Sequence, residues 1–306
     1  MWHSYPGHGR VSCQPSGRVF QRVCPGSVSF GCTPRSGEIM EITIINKLDD
    51  SIHFLVEDVD VAFANAIRRI MLTKLPAMAI DEVLILENTS VMYDEMIAQR
   101  LGLIPIVTDL DSYNLPKDCE CEGKGCSLCQ CTLTLEVEPE DEEVMVYSRS
   151  LASQDPKIVP ASGNIPIVKL GPRQRLIIEA YARLGTGAEN AKFQPVATVA
   201  YKNVPVISVD KSKCNLCEEC VKICPKNILK VDGSTLSTQN TLDCSLCEAC
   251  VDVCEPGAIT IDSKKNAFLF KVESTGALSP EIIVSKTAEI LKTRIQGALD
   301  YANALR

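Results

Sequence analysis

The run C-x2-C-x2-C-x3-C occurs twice in this 306-residue chain, as CNLCEECVKICP from Cys214 and as CSLCEACVDVCEP from Cys244. Nothing else in the sequence restricts the fold so tightly. Eight thiols at these intervals must converge on shared centres. Three closely spaced cysteines can wrap three corners of an iron–sulfur cubane while the loop amides face its sulfides.

In two-cluster proteins of the ferredoxin type, the fourth cysteine of each run ligates the other cluster. The repeat therefore predicts one [4Fe–4S] cluster on Cys214, Cys217, Cys220 and Cys254, and a second on Cys244, Cys247, Cys250 and Cys224. The halves differ slightly: Pro225 follows its cysteine directly, whereas Glu255 intervenes before Pro256. The alternative is structural zinc held by CxxC pairs, although zinc sites rarely use a triplet-plus-one repeat.

A second cysteine group, CECEGKGCSLCQC, supplies Cys119, Cys121, Cys126 and Cys129 in a Gly-containing loop. Four thiolates on one short knuckle make the tetrahedral sulfur environment of a structural zinc ion. Free thiols or disulfides are the other readings. Cys131 opens the next strand-like run and is a spare or substitute ligand. Thirteen of the sixteen cysteines lie in these groups, and Cys13, Cys24 and Cys32 lie outside them. Metal-ligand spacing in a long chain without a secretory signal favours thiolates in a reducing cytosol. No apolar run approaches the roughly 18 residues of a membrane span, so a soluble, cytoplasmic protein is expected. A net charge of −8 argues against wrapping nucleic acid.

Residues 1–39 are rich in Gly, Pro, Ser and Arg, with four Arg and one Glu but no Lys or Asp. They read as a disordered extension or as the product of a start placed too far upstream, and the native protein is expected to begin at Met40. From there, EITII and IHFLVED alternate as two strands around an LDDS turn. Asp60 is placed to cap a helix over DVAFANAIRRIML, with Phe63, Ala66, Ile67, Ile70 and Met71 on one face, and Pro76 should end it. AIDEVLILEN reads as a strand and YDEMIAQRLGLIP as a short helix. TLTLEVEP, EVMVYS, RLIIEAYARL, PVATVAYK and NAFLFKVEST follow as strands. Near the chain's end, Ser279 should cap a helix opened by Pro280 and Glu281. Val284, Ala288, Leu291, Ile295, Ala298, Ala302 and Leu305 recur along it at gaps of four and three, a seam suited to another helix. A partner interface and burial within the same domain remain open on this pattern alone.

Electron transfer is the obvious use of two clusters, but residues 207–263 hold the whole cassette. Elsewhere there is no GxGxxG after a strand, no GxxxxGK[ST] and no HExxH. His3, His8 and His53 are too scattered for a cofactor site. The close acidic pairs, Asp58 with Asp60 and Asp109 with Asp111, sit where capping accounts for them. No catalytic residue is expected.

Three stretches outside the cassette point the same way. FANAIRRIML resembles the dimerisation helix of the RNA polymerase alpha family. YDEMIAQRLGLIPI resembles that family's signature between its two domains, and VESTGALSPEIIVSKTAEIL resembles its closing strand and helix. The family includes bacterial alpha, its archaeal counterpart and the third-largest eukaryotic polymerase II subunit, and a ferredoxin-like insertion is a feature of its archaeal branch. The resemblance spans residues 40–306. It implies an α+β fold in which 40–88 and 264–306 form one discontinuous dimerisation domain, 89–206 an inserted strand-rich domain with the cysteine loop, and 207–263 a ferredoxin-like domain.

It further implies a non-catalytic assembly subunit of a nucleotidyltransferase complex. This subunit pairs with the small subunit L and gathers the large and small polymerase subunits, without sequence-specific nucleic-acid binding. Phe63, Ile67, Ile70, Val284, Leu291 and Ile295 would bury against subunit L. Arg68 and Arg69 match the family's paired arginines, which face the second-largest subunit; a solvated helix face is the plainer reading. The knuckle resembles the zinc loop of the eukaryotic relative but is one residue longer, which leaves its ligand set open. The competing reading is an iron–sulfur electron-transfer subunit of an oxidoreductase.

Overall fold

The computed structural model describes residues 40–305. The expectations for residues 1–39, including the start at Met40 and the three cysteines there, lie outside the described residues. In chain order the elements are β1 (Glu41–Lys47), β2 (Ser51–Glu57), α1 (Val61–Thr73), β3 (Pro76–Asn88), α2 (Asp94–Gly102), β4 (Gln130–Val137), β5 (Val144–Tyr147), β6 (Ala152–Ser153), β7 (Pro166–Leu170) and β8 (Leu176–Thr186). There follow β9 (Val196–Val209), α3 (Glu219–Ile223), β10 (Leu229–Asp232), β11 (Thr235–Thr238), α4 (Ala249–Asp252), β12 (Ile259–Ser274) and α5 (Pro280–Ala304).

Strand order in the first sheet is β1-β2-β12-β9, so the first and last strands of the described chain share one sheet. All its pairings are antiparallel; Phe54 on β2 stands opposite Phe270 on β12, which stands opposite Tyr201 on β9. The Phe54 and Phe270 rings stack at 5.0 Å, and Tyr201 meets Phe268 edge-on at 5.4 Å. Alternation on β2 turns Ile52, Phe54 and Val56 inward, where α1 contributes Ala64 and Met71 and α5 contributes Ile283. Helix α1 starts where the sequence places it: the Phe63 amide donates to Asp60 Oδ1 at 2.7 Å. It ends at Thr73, two residues before Leu75, which the following Pro76 biases away from helical geometry.

The second sheet has the order β3-β8-β4-β6 and shares the larger core with α2, whose Ile97 and Leu101 are fully buried. Strands β5 and β7 form a separate pair. Two strands lie across the boundaries expected from sequence. β3, expected with the chain ends, pairs with β8 (Ile80 opposite Ala182) in the second sheet. β9, expected in the inserted segment, pairs with β12 in the first. Alternation marks a segment as extended but does not say which strand it will join.

β12 also begins at Ile259, seven residues before the run NAFLFKVEST. Beyond the first sheet, Val204–Val209 and Ile259–Lys264 continue as a two-stranded ribbon, and the cysteine repeat is mounted at its end. Ile207, Val209, Ile259 and Ile261 of the ribbon pack on the cassette, while polar residues such as Asp262 and Ser263 interrupt its apolar pattern. Ser279 occupies the first cap of α5 but makes no capping hydrogen bond. The helix start is tied down instead by Glu281, which ion-pairs with Lys47 at the end of β1.

Candidate functional site

Along one side of the first sheet, α1 and α5 leave an apolar groove of 360 Å³. Five of the six residues expected at a dimer interface line it: Phe63, Ile67, Val284, Leu291 and Ile295. Ile70 does not. It is 7% exposed, already buried within the molecule. The groove floor comes from residues the helical pattern could not reveal, Met40 just before the first strand and Ile42 within it, with Phe54 and Val56 of the second. Alternation in EITII held that signal, since every residue of the edge strand β1 is exposed and Ile42 and Ile44 are 53% and 60% accessible.

Thr287 is fully buried, but its hydroxyl donates to the Ile283 carbonyl at 2.6 Å, so its side chain leaves no unpaired polar atom in the lining. From Lys292 onward every described residue of α5 is exposed, including Ile295, Leu299 and Tyr301, as is Leu305 just beyond it. On α1, Arg68 is half-buried and donates to Asn65 Oδ1 at 2.9 Å, while Arg69 is exposed. The Lys47 ammonium, through its hydrogen bond, holds the Glu281 carboxyl down to about 2.

The knuckle brings Cys119, Cys121, Cys126 and Cys129 together with all four sulfurs within 4.8 Å of one another. Sulfur–sulfur distances are 3.5 Å for Cys119–Cys126 and Cys119–Cys121, 3.4 Å for Cys121–Cys129 and 3.8 Å for Cys126–Cys129. A tetrahedral ion with metal–sulfur bonds of about 2.3 Å sets its ligand sulfurs about 3.8 Å apart, so the quartet fits a metal. The Cys126 amide donates to Cys129 Sγ at 3.3 Å. Gly123 and Gly125 turn the loop at φ 79° and 82°, and a Cβ on Gly125 would collide with the Gln130 side chain.

Crowding splits the thiols. Hydrogen bonding from Cys129 brings Cys121 down to about 6, whereas Cys119 is pushed up to about 12: the Cys121 amide pulls it down, and hydrogen bonds with the Cys126 and Cys121 thiols outweigh that pull. Only a bound cation lets all four ionise together. Cys131 stands apart, buried in the larger core with its sulfur 3.5 Å from Ser153 Oγ.

In the cassette, Cys214, Cys217, Cys220 and Cys254 line one small cavity. Cys250 lies instead among Cys224, Cys244 and Cys247; burial and then those thiols push it up to about 11. The fourth cysteine of each run therefore sits with the other run's triplet. Both halves bend the backbone alike: Leu216 and Glu218 take φ 58° and 63°, and Leu246 and Glu248 take 56° and 58°. Left-handed conformations at non-glycine residues cost about 1–2 kcal/mol each. Alternating right- and left-handed residues turn successive amides into one concavity, a nest for anionic sulfur. Amides do reach the thiols: Ala258 donates to Cys254 Sγ at 3.3 Å, and the Ala249 amide lowers Cys247. One contact has no signal in the sequence: Lys202 of β9 donates to the Cys244 carbonyl at 2.8 Å, fastening the cassette to the first sheet.

Across residues 53–295 the chain matches the RNA polymerase Rpb3/Rpb11 dimerisation domain. It is 44% identical over 256 residues to the DNA-directed RNA polymerase subunit Rpo3 of Archaeoglobus fulgidus, a span of 84% of this chain and 95% of that protein. The Rpo3 subunit of Methanosphaera stadtmanae is 40% identical over 267 residues, spanning 86% of this chain and 99% of its own. That of Methanosarcina mazei is 41% identical over 268 residues, spanning 87% and 99%. No helix among the described residues is long and apolar enough to cross a membrane. The matched region runs from β2 into α5 and so contains both walls of the groove: the chain belongs to the RNA polymerase Rpb3/Rpb11 dimerisation-domain family.

Proposed function

We propose that this chain is the non-catalytic assembly subunit of an archaeal DNA-dependent RNA polymerase, the counterpart of bacterial alpha. The observation that carries the reading is the open apolar groove between α1 and α5, assembled from both ends of the described chain. A lone molecule leaves Ile42, Ile295 and Leu299 each more than half exposed, and covering such a patch drives stable association. The occupant is the small subunit L, and the resulting pair is the cytoplasmic platform on which the large and small polymerase subunits gather. Arg68 and Arg69, on the outward part of α1, face the second-largest subunit. The dimerisation unit takes its material from both chain ends, with the strand-rich segment and the ferredoxin-like segment as insertions.

Two [4Fe–4S] clusters sit in the crossed quartets Cys214, Cys217, Cys220, Cys254 and Cys244, Cys247, Cys250, Cys224. Zinc occupies the knuckle of Cys119, Cys121, Cys126 and Cys129, whose sulfur spacing suits it. Bound metal supplies cohesion there, and the chain's own part is to present thiolates and inward-facing amides. The electron-carrier alternative explains the cassette but leaves the groove without a role.

Co-expression with the small subunit tests the reading. The wild-type chain should purify as a one-to-one pair carrying about eight irons per chain. Ile67→Arg should abolish pairing while leaving the iron content unchanged. Recovery of the wild-type chain with a flavin or nicotinamide enzyme, and without polymerase subunits, would overturn it.

A further inference from the structure

The charges along α5 are not neutral towards the choice of partner. Each carboxylate on the helix is already engaged: Glu281 with Lys47, Glu289 with Lys286 at 3.1 Å, and Asp300 with the Gln296 amide at 2.8 Å. Two cations are not. Among the described residues, Lys292 and Arg294 form no ion pair, and both are exposed. They flank the seam residues Leu291 and Ile295 on either side, the positions that set partner choice in paired helices. Lys292 also lines the groove, where it is the only charged residue, and it stands at the midpoint of α5.

We infer that Lys292 and Arg294 select a partner whose own apolar seam is flanked by carboxylates, and select against a second copy of this chain. The inference rests on the groove being the pairing surface. A two-fold self-pair presents the same patch on both sides. Crossing two copies of α5 near their midpoints would therefore set these cations against each other, since the one carboxylate of the helix without a cation, Asp300, lies about two turns beyond Lys292. A partner with acidic flanks gains two ion pairs at the same place. Repulsion in one pairing and attraction in the other together provide specificity that the apolar lining lacks. The occupant is accordingly the small subunit of the pair, with Asp or Glu beside its seam helix.

Titration of the full-length chain against that small subunit, at low and high ionic strength, tests this. Wild-type affinity should fall as salt rises. Lys292→Met with Arg294→Met, which keeps the apolar stems, should bind about fivefold more weakly at low salt and lose the salt dependence. The same double variant should show increased self-association by analytical ultracentrifugation. Leu291→Arg serves as the control for the groove itself. If the double Met variant pairs like wild type at both salt concentrations while Leu291→Arg fails to pair, the charge assignment is overturned and the groove stands. If Leu291→Arg also pairs normally, the groove reading has failed.

Discussion

Twenty-one side chains are buried between the second sheet and α2, from Met78 on β3 to Leu184 on β8. In the cassette at the end of the ribbon the buried cluster holds only five, and two of those are the cysteines Cys220 and Cys250. Both regions are ordered by secondary structure of similar kinds, yet the second lacks the apolar burial that stabilises the first. Small units in that position need covalent or metal cross-links, and the binding energy of the metal becomes their folding energy. The cassette also keeps six non-glycine residues in left-handed geometry, whereas the longer strand-rich segment has only Glu122 and Arg173 so placed. The difference teaches that the thiols serve as the cassette's core as well as its chemistry.

Removing the thiolates should therefore have the largest effect. In the double variant Cys220→Ser and Cys250→Ser, amide exchange in β10, β11, α3 and α4 should rise to that of unfolded chain, while β4 and β8 keep their protection. Undiminished protection in the cassette would break the contrast. In the larger core, Leu133→Ala should cost about 2–5 kcal/mol by denaturant unfolding, because Leu133 is wholly buried, yet leave the bound iron unchanged.

Two smaller changes sharpen the comparison from the groove side. Asp60→Ala should cost about 1 kcal/mol, since it removes the cap on the Phe63 amide, and calorimetry should show it without any change at the cassette. The pair of Glu281 with Lys47 should contribute least. A carboxyl depressed to about 2 adds stability that is complete above its unfolded value of about 4.3 and is lost as pH falls through about 2. The wild type and Lys47→Met should thus differ slightly at neutral pH and converge in acid. A difference that persists undiminished in acid would refute the assignment.

What the sequence made legible follows from the range of the signal. The cysteine repeat, the Asp60 cap and the seam on α5 are local patterns, each set by covalent spacing or helical period. Strand partners are set by distant residues. Hence β3 and β9 exchange places relative to expectation, and the ribbon of β9 and β12 offers only the short alternations Ile207–Val209 and Ile259–Ile261, which pack on the cassette rather than in the first sheet's core. Ile70 shows the same limit on one helix: its spacing puts it on the apolar face, but only tertiary packing decides that it is buried within the molecule and does not line the groove. The groove floor from β1 is present as alternation in EITII, without an indication that this edge strand would stay uncovered.

The most direct measurement is hydrogen exchange on the chain alone and after addition of the small subunit. Alone, the amides of α5 beyond Lys292 should exchange quickly, and on mixing they should become protected together with α1 and β1. Fast exchange that persists in the mixture, or protection of those turns already present in the isolated chain, would contradict the assembly role.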